Sequence, residues 1–213
     1  SSNRSSLGEL AVLQQPASKV VKGWRRVGAR QWARHLLTTL LETHVAAADM
    51  TTFEQLPIDT WWMGWAIALA LRGQGRTHPN PIVGAVIVRD GELLGEGFHE
   101  RDGGPHAEVN ALADAARRGH DVASATIYVT LEPCSTTGRT GACTMRIIAA
   151  RLGRVVIGAI DPHPEHSGRG IQILQAAGIA VSAGLLATPC AALNPAFNAR
   201  MAAVALARPI PRP

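Results

Sequence analysis

Hydrophobic runs recur from position 61 onwards at the spacings of helices and strands. The segment 61–72 repeats its apolar residues at helical spacing and stops at Gly73, which favours a helix closed by a glycine. The segment 82–88 is almost continuously apolar, as in a buried strand. Asp90-Gly91 then predicts a tight turn into a second strand over 93–98. The first part of the pattern therefore predicts one helix followed by a β-hairpin.

The rest of the pattern alternates between helical and strand periodicities, without internal repeats. A hairpin followed by such alternation is typical of a mixed sheet with helices on both faces. We therefore predict an α/β fold, a three-layer α/β/α sandwich around a mixed sheet of about five strands. The predicted helices are 106–115, 144–152, 171–177 and 187–205, and the predicted strands are 126–131, 154–159 and 179–182.

The composition is that of a globular protein, since 46% of the 213 residues are hydrophobic and 17% are charged. Charges interrupt the apolar runs before they reach the ~20 residues of a membrane span, so we predict no membrane helix. The net charge of +5 is concentrated in residues 1–49, which hold seven basic and three acidic side chains, whereas 50–213 hold fourteen and thirteen. Because the body is nearly neutral, we expect no nucleic-acid partner.

The chain divides by composition into three parts. Residues 1–49 form a basic, Ser- and Arg-rich extension, residues 50–205 carry the periodic pattern, and 206–213 are a proline-rich tail. The extension has three interpretations: a transit-type segment, a nucleic-acid arm, or sequence upstream of a native start at Met50. We expect a cytoplasmic protein, or an organellar one if the extension is a transit segment.

One histidine and two cysteines stand where a zinc site needs them. His106 and Glu108 lie at the start of a predicted helix, Cys134 follows a predicted strand, and Cys143 precedes the next helix. Catalytic zinc takes three protein ligands and leaves its fourth position to water, whose pKa it lowers to about 7. We predict that His106, Cys134 and Cys143 bind Zn²⁺ and that Glu108 acts as a proton shuttle. Cys190 fits no ligand spacing and is predicted to be a core residue.

These residues match the general signature of nucleobase deaminases, His-x-Glu followed by Pro-Cys and a second cysteine. The spacing differs from that signature, because eight residues instead of two separate Cys134 from Cys143. The surrounding motifs are THPNPIVGAVIV at 77–88, GEGFH at 95–99, PHAEVNAL at 105–112, YVTLEPCS at 128–135, GRT at 138–140 and DP at 161–162. In order and spacing they closely resemble the deaminase domain of the bacterial bifunctional riboflavin-biosynthesis deaminase/reductase.

The resemblance implies a cytidine-deaminase-like fold for residues 50–205 and a defined reaction. The substrate would be 2,5-diamino-6-ribosylamino-4(3H)-pyrimidinone 5′-phosphate, a pyrimidine ribotide that loses its 2-amino group as ammonia. Asn80, His99 and His163 would contact this substrate, and Arg139 would bind its phosphate or ribose through planar, bidentate donors. We also expect a homo-oligomer and a separate reductase, because the family continues into an NADPH-dependent reductase domain that is not found in these 213 residues.

Three departures from the family pattern affect these assignments. His163 stands where the family has asparagine, Gly141-Ala142 replaces two prolines before the second cysteine, and Thr136-Thr137 replaces a pair containing histidine or tyrosine. Two other functions stay open: a deaminase of another nucleobase, nucleotide or tRNA base, and a non-catalytic module that keeps the fold. The complete zinc trio together with Glu108 favours the enzyme.

Overall fold

A mixed sheet forms the centre of the protein in a computed structural model that describes residues 58–136, 141–163 and 166–206. Its strands are β1 (Gly84–Arg89), β2 (Glu92–Phe98), β3 (Thr126–Leu131), β4 (Arg154–Ala159) and β5 (Ala180–Ala183). They lie in the order β2-β1-β3-β4-β5. β1 is antiparallel to both β2 and β3, whereas β3, β4 and β5 run parallel. The predicted mixed, five-stranded α/β fold is confirmed.

Helices cover both faces of this sheet. The described helices are α1 (Ile58–Leu71), α2 (Ala107–Arg117), α3 (Cys143–Ala149), α4 (Arg169–Ala176), α5 (Ala187–Ala192) and α6 (Pro195–Leu206). α1 packs on β1 and β3, where a Cβ added at Gly84 would meet the backbone of Ala66. α2 packs on β2 and β1 from the opposite side. The predicted extension 1–49 lies outside the described residues, and so does the predicted tail 206–213 apart from its first residue.

The core contains β-branched side chains that lie next to one another on the paired strands β1, β3 and β4. Ile87 pairs with Ile127, and Val129 pairs with Ile157, so these four residues face the same side of the sheet. All four are completely buried. Burying each such side chain stabilises the fold by about 1.5–3 kcal/mol, which explains why these strands read as continuous apolar runs.

A close approach between α2 and β2 fixes the position of the helix start. A Cβ at Gly97 would lie 2.6 Å from the carbonyl oxygen of Ala107, so only glycine allows this contact. The side-chain amide of Asn110 also donates to the carbonyl oxygen of Phe98 at 2.8 Å. The first turn of α2, with His106 just before it, is therefore held against the end of β2.

The predicted helix over 187–205 is helical but is divided into α5 and α6. Pro195 is the first residue of α6, a position that suits its missing N–H and restricted φ. Asn194 directly precedes it and uses its side chain to bond the backbone of Ile82 rather than to continue a helix. In the described parts of the chain, no helix combines the length and the hydropathy of a membrane span.

Candidate metal centre and active site

Three elements bring the predicted zinc ligands together. His106 is the N-cap of α2, Cys134 lies in the loop that follows β3, and Cys143 is the first residue of α3. Nδ1 of His106 lies 3.3 Å from Sγ of Cys143 and 3.6 Å from Sγ of Cys134. All three ligand atoms lie within 4.8 Å of one another.

The separation of these atoms fits one tetrahedral zinc ion. Zn–N bonds of about 2.1 Å and Zn–S bonds of about 2.3 Å at tetrahedral angles place nitrogen and sulfur about 3.6 Å apart. The two Nδ1–Sγ distances of 3.3 and 3.6 Å agree with this value. One imidazole and two thiolates are also the donor set that zinc prefers. The residues therefore fit the metal in chemistry and in geometry.

The surroundings of the cysteines favour a negative charge at the site. A hydrogen bond from the Cys143 thiol holds the pKa of Cys134 below its usual range, although burial opposes this. The same hydrogen bond raises the pKa of Cys143, which keeps the proton of the pair. The backbone N–H of Cys143 donates to Sγ of Cys134 at 3.2 Å. A cation that displaces this shared proton would therefore meet two thiolates beside the N-terminal ends of α2 and α3.

Glu108 lies in the first turn of α2 and is almost completely enclosed, with 3% of its surface exposed. Burial raises the pKa of its carboxyl to about 6, against the opposing effect of the nearby His106. A carboxyl group with such a pKa can both accept and release a proton near neutral pH. Its place beside the ligand trio is the one that the His-x-Glu motif predicts.

A pocket opens beside this cluster, and several of the predicted residues line it. Its polar lining includes two predicted substrate contacts, Asn80 and His99, together with Glu108. Its apolar lining includes Val83, Leu131 and Phe197. The lining residues are Asn80, Pro81, Val83, His99, His106, Glu108, Leu131, Glu132, Cys134, Asp161 and Phe197.

His99 is held in one tautomer at the end of β2. Its Nδ1 lies 3.0 Å from the carbonyl oxygen of Pro105, so this nitrogen must carry a proton in order to donate. Burial lowers the pKa of the ring, which favours the neutral form. Nε2 is then an acceptor, and it is buried without a hydrogen-bond partner among the described residues. His99 therefore offers one unused acceptor next to the pocket.

Asn80 stands at the exposed mouth of the same pocket. Its side-chain amide donates to Oδ1 of Asp102 at 2.8 Å, which limits the orientations of the amide group. The hydroxyl of Thr77 donates to the carbonyl oxygen of Asn80 at 3.0 Å. Asn80 lies between two prolines, a position that would equally suit a turn residue, and its contact with substrate stays a prediction.

The other two predicted substrate contacts are placed differently. Arg139 lies outside the described residues. His163 is half-buried, and its ring stands 4.4 Å from that of His166, but it is not among the residues that line the pocket. The backbone N–H of His163 donates to Oδ1 of Asp161, and it is Asp161 that reaches the pocket. The roles of Arg139 and His163 stay predictions.

Glu132 has a structural role that the motif analysis missed. Its Oε2 accepts from the backbone N–H groups of Asp161 at 3.2 Å and Gly168 at 2.9 Å. Its Oε1 accepts from Gly170 at 2.9 Å and Ile171 at 3.4 Å. One buried carboxylate thus connects the segment after β4 and the start of α4 to the loop after β3, which carries Cys134. No local signal could reveal this, because the partners lie 29 to 39 positions away along the chain.

Glu132→Gln should therefore lower the stability of the protein without changing the size of the side chain. Its amide NH₂ would face backbone N–H groups and leave buried donors unpaired, a loss of about 3 kcal/mol. Urea unfolding at a fixed zinc concentration measures the change in the free energy of unfolding. Glu92→Gln, at an exposed position of β2, is the matched control and should change it by less than about 0.5 kcal/mol. Equal midpoints for Glu132→Gln and the wild type would contradict this role.

Comparison with known protein families also indicates a zinc-binding site in this part of the chain. The model of the cytidine and deoxycytidylate deaminase zinc-binding region matches residues 57–159, the stretch that contains the zinc ligands and Glu108. The fold and the ligand cluster therefore belong to a zinc-dependent deaminase of the cytidine-deaminase class.

Proteins of riboflavin biosynthesis are among the relatives of this chain. The riboflavin biosynthesis protein RibD of Escherichia coli is 52% identical over 143 residues, which are 67% of this chain and 38% of the relative. The diaminohydroxyphosphoribosylamino-pyrimidine deaminase of Buchnera aphidicola is 45% identical over 67% of this chain and 95% of its own length. A deaminase/5-amino-6-(5-phosphoribosylamino)uracil reductase structure from Thermotoga maritima has a TM-score of 0.66 at 43% identity, covering 69% of this chain and 42% of that chain. The chain belongs to this family of riboflavin-biosynthesis deaminases.

Proposed function

We propose that this chain removes the 2-amino group of 2,5-diamino-6-ribosylamino-4(3H)-pyrimidinone 5′-phosphate by hydrolysis. The observation that carries the proposal is the buried carboxyl of Glu108 in a pocket shared with the zinc ligands His106 and Cys134. The printed name of the Buchnera aphidicola relative, 95% of whose length is covered, supports the choice of substrate.

Glu108 can move both protons that the reaction requires. Bound zinc supplies the Lewis acidity that makes water nucleophilic near neutral pH. Glu108 accepts a proton from the attacking water while the C–O bond forms at carbon 2, and passes it to the adjacent ring nitrogen. It then takes the second proton of that water and delivers it to the amino group. The C–N bond breaks, ammonia leaves, and a carbonyl remains at carbon 2.

His99 and Asn80 can orient the ring in this reaction. The unused Nε2 of His99 accepts a hydrogen bond from an N–H of the aminopyrimidine, and Asn80 binds the polar edge of the substrate at the mouth of the pocket. Arg139 is proposed to meet the phosphate or ribose, a task that suits the bidentate donors of arginine. His163 is proposed to contact the substrate through the loop that also carries Asp161.

Ammonia release from a panel of compounds tests this function. We expect fast release from the aminopyrimidine ribotide and at least about 10²-fold lower kcat/KM for cytidine, guanine and tRNA, because the pocket must pair with the groups of one ring. A parallel assay without protein corrects for spontaneous hydrolysis. A preference for one of the other three compounds would contradict the proposed substrate but not the deaminase class.

The partners and the location of the protein are also proposals. The Thermotoga maritima relative is named as a reductase as well as a deaminase, which supports a reductase step that consumes the product of the deamination. The chain spans 38% of the length of the Escherichia coli relative. Activities that belong to the rest of that longer protein are therefore not assigned to this chain. A homo-oligomer and a cytoplasmic location stay predictions.

A further inference from the structure

The helix α6 brings an aromatic side chain into the pocket. Phe197 is half-buried, packs against the hydrophobic core, and lines the same pocket as His106 and Glu108. It lies beyond residues 57–159, the stretch matched by the zinc-binding model. Phe197 therefore stands outside the part of the chain that carries the shared zinc chemistry, yet it faces the reacting site.

Hydrogen bonds from Asn194 and Arg200 hold α6 against the segment 79–82, which contributes Asn80 and Pro81 to the pocket. Asn194, with 8% of its surface exposed, accepts from the backbone N–H of Ile82 at 2.8 Å and donates to the carbonyl oxygen of Ile82 at 2.9 Å. Near the middle of α6, the guanidinium of Arg200 donates to the carbonyl oxygen of Pro79 and stands 5.4 Å from the Phe197 ring centroid. Phe197 lies between Asn194 and Arg200, so its backbone is fixed relative to the pocket.

We propose that Phe197 is a specificity-determining residue that packs its ring against the planar pyrimidine of the substrate, with Asn194 and Arg200 as positioning residues. The inference rests on the proposed function and deepens it. Phe197 joins Pro81, Val83 and Leu131 as the apolar part of a pocket lining that also includes the polar groups of Glu108 and His99. A flat aromatic ring with polar edges is the ligand that such a pocket accommodates.

Substitutions of Phe197 separate an aromatic contact from simple core packing. Phe197→Ala should raise KM for the ribotide roughly 10- to 100-fold with kcat within about threefold of wild type, because stacking contacts of this kind contribute binding in ground and transition states alike. Phe197→Leu keeps an apolar wall without an aromatic face and should give an intermediate rise. Val204→Ala, at an exposed position of the same helix, is the matched control and should leave KM unchanged.

The role of Asn194 is tested by measuring KM and kcat separately. Asn194→Ala removes both bonds to Ile82 and should raise KM several-fold while zinc content and kcat stay close to wild type. A fall in kcat, or a loss of zinc, with unchanged KM would show that Asn194 supports the metal centre instead and would overturn its assigned role.

Isothermal titration calorimetry on the zinc-loaded full chain measures the binding of the deaminated ribotide. This measurement tests the role of Phe197 without relying on turnover. We expect Phe197→Ala to weaken this binding roughly 10- to 100-fold relative to wild type and to Val204→Ala. If wild type releases ammonia from the ribotide but Phe197→Ala has wild-type affinity and KM, the inference is overturned and the proposed function stands. If wild type neither deaminates the ribotide nor binds its product, the inference and the proposed function are both contradicted.

Discussion

Glu108→Gln is expected to lower turnover by at least about 10³-fold while zinc content and folding are retained. The substitution keeps the size of the side chain and its place in the first turn of α2. It removes the only group in the pocket that is proposed to take both protons from water and deliver them to the substrate. The amide cannot exchange these protons, whereas the ligands His106, Cys134 and Cys143 stay unchanged.

Three measurements on one preparation make this result interpretable. Steady-state ammonia release gives turnover, elemental analysis gives zinc per chain, and thermal unfolding gives stability. Glu92→Gln, at an exposed position, is the matched control and should retain wild-type turnover. Near-normal turnover in Glu108→Gln would show that another group carries the protons, and the assigned mechanism would be wrong.

Loss of the metal is the second large effect that we expect. His106→Ala leaves two thiolates within reach of the ion and should weaken zinc binding by at least about 10²-fold, with loss of ammonia release. Competition with a coloured zinc chelator measures the affinity, and elemental analysis gives zinc per chain. His120→Ala is the control, since His120 lies just beyond the end of α2 and away from the ligand cluster. A His106→Ala protein that still holds one zinc per chain would refute the assigned ligand set.

Much of the fold could be predicted because the central strands are buried on both faces. Side chains such as Ile87, Ile127 and Ile157 read as uninterrupted apolar runs, and the Asp90-Gly91 turn connects β1 and β2 as predicted. The division of the last helical segment was missed. The helix is divided because Asn194 forms a long-range hydrogen bond with Ile82, and the only local signal of this division is Pro195.

The clustering of the predicted zinc ligands beside Glu108 could be predicted because their spacing along the sequence is typical of one kind of metal site. Four residues in a fixed order have few alternative explanations, and the ligand atoms do converge. Glu132 and Phe197 could not be identified in this way. A glutamate before Pro-Cys and a phenylalanine in a helix are ordinary residues. The structural role of Glu132 and the proposed role of Phe197 both depend on partners that are distant along the chain.

The central claim is that this chain hydrolyses a C–N bond of the aminopyrimidine ribotide by adding water to the ring. Mass spectrometry of the reaction in water enriched in heavy oxygen tests it most directly. The zinc-loaded wild type should release one ammonia per substrate and place one heavy oxygen in the pyrimidine product, and Glu108→Gln should do so at a greatly reduced rate. Product without heavy oxygen, or ribotide recovered intact beside a folded, zinc-loaded protein, would contradict the account.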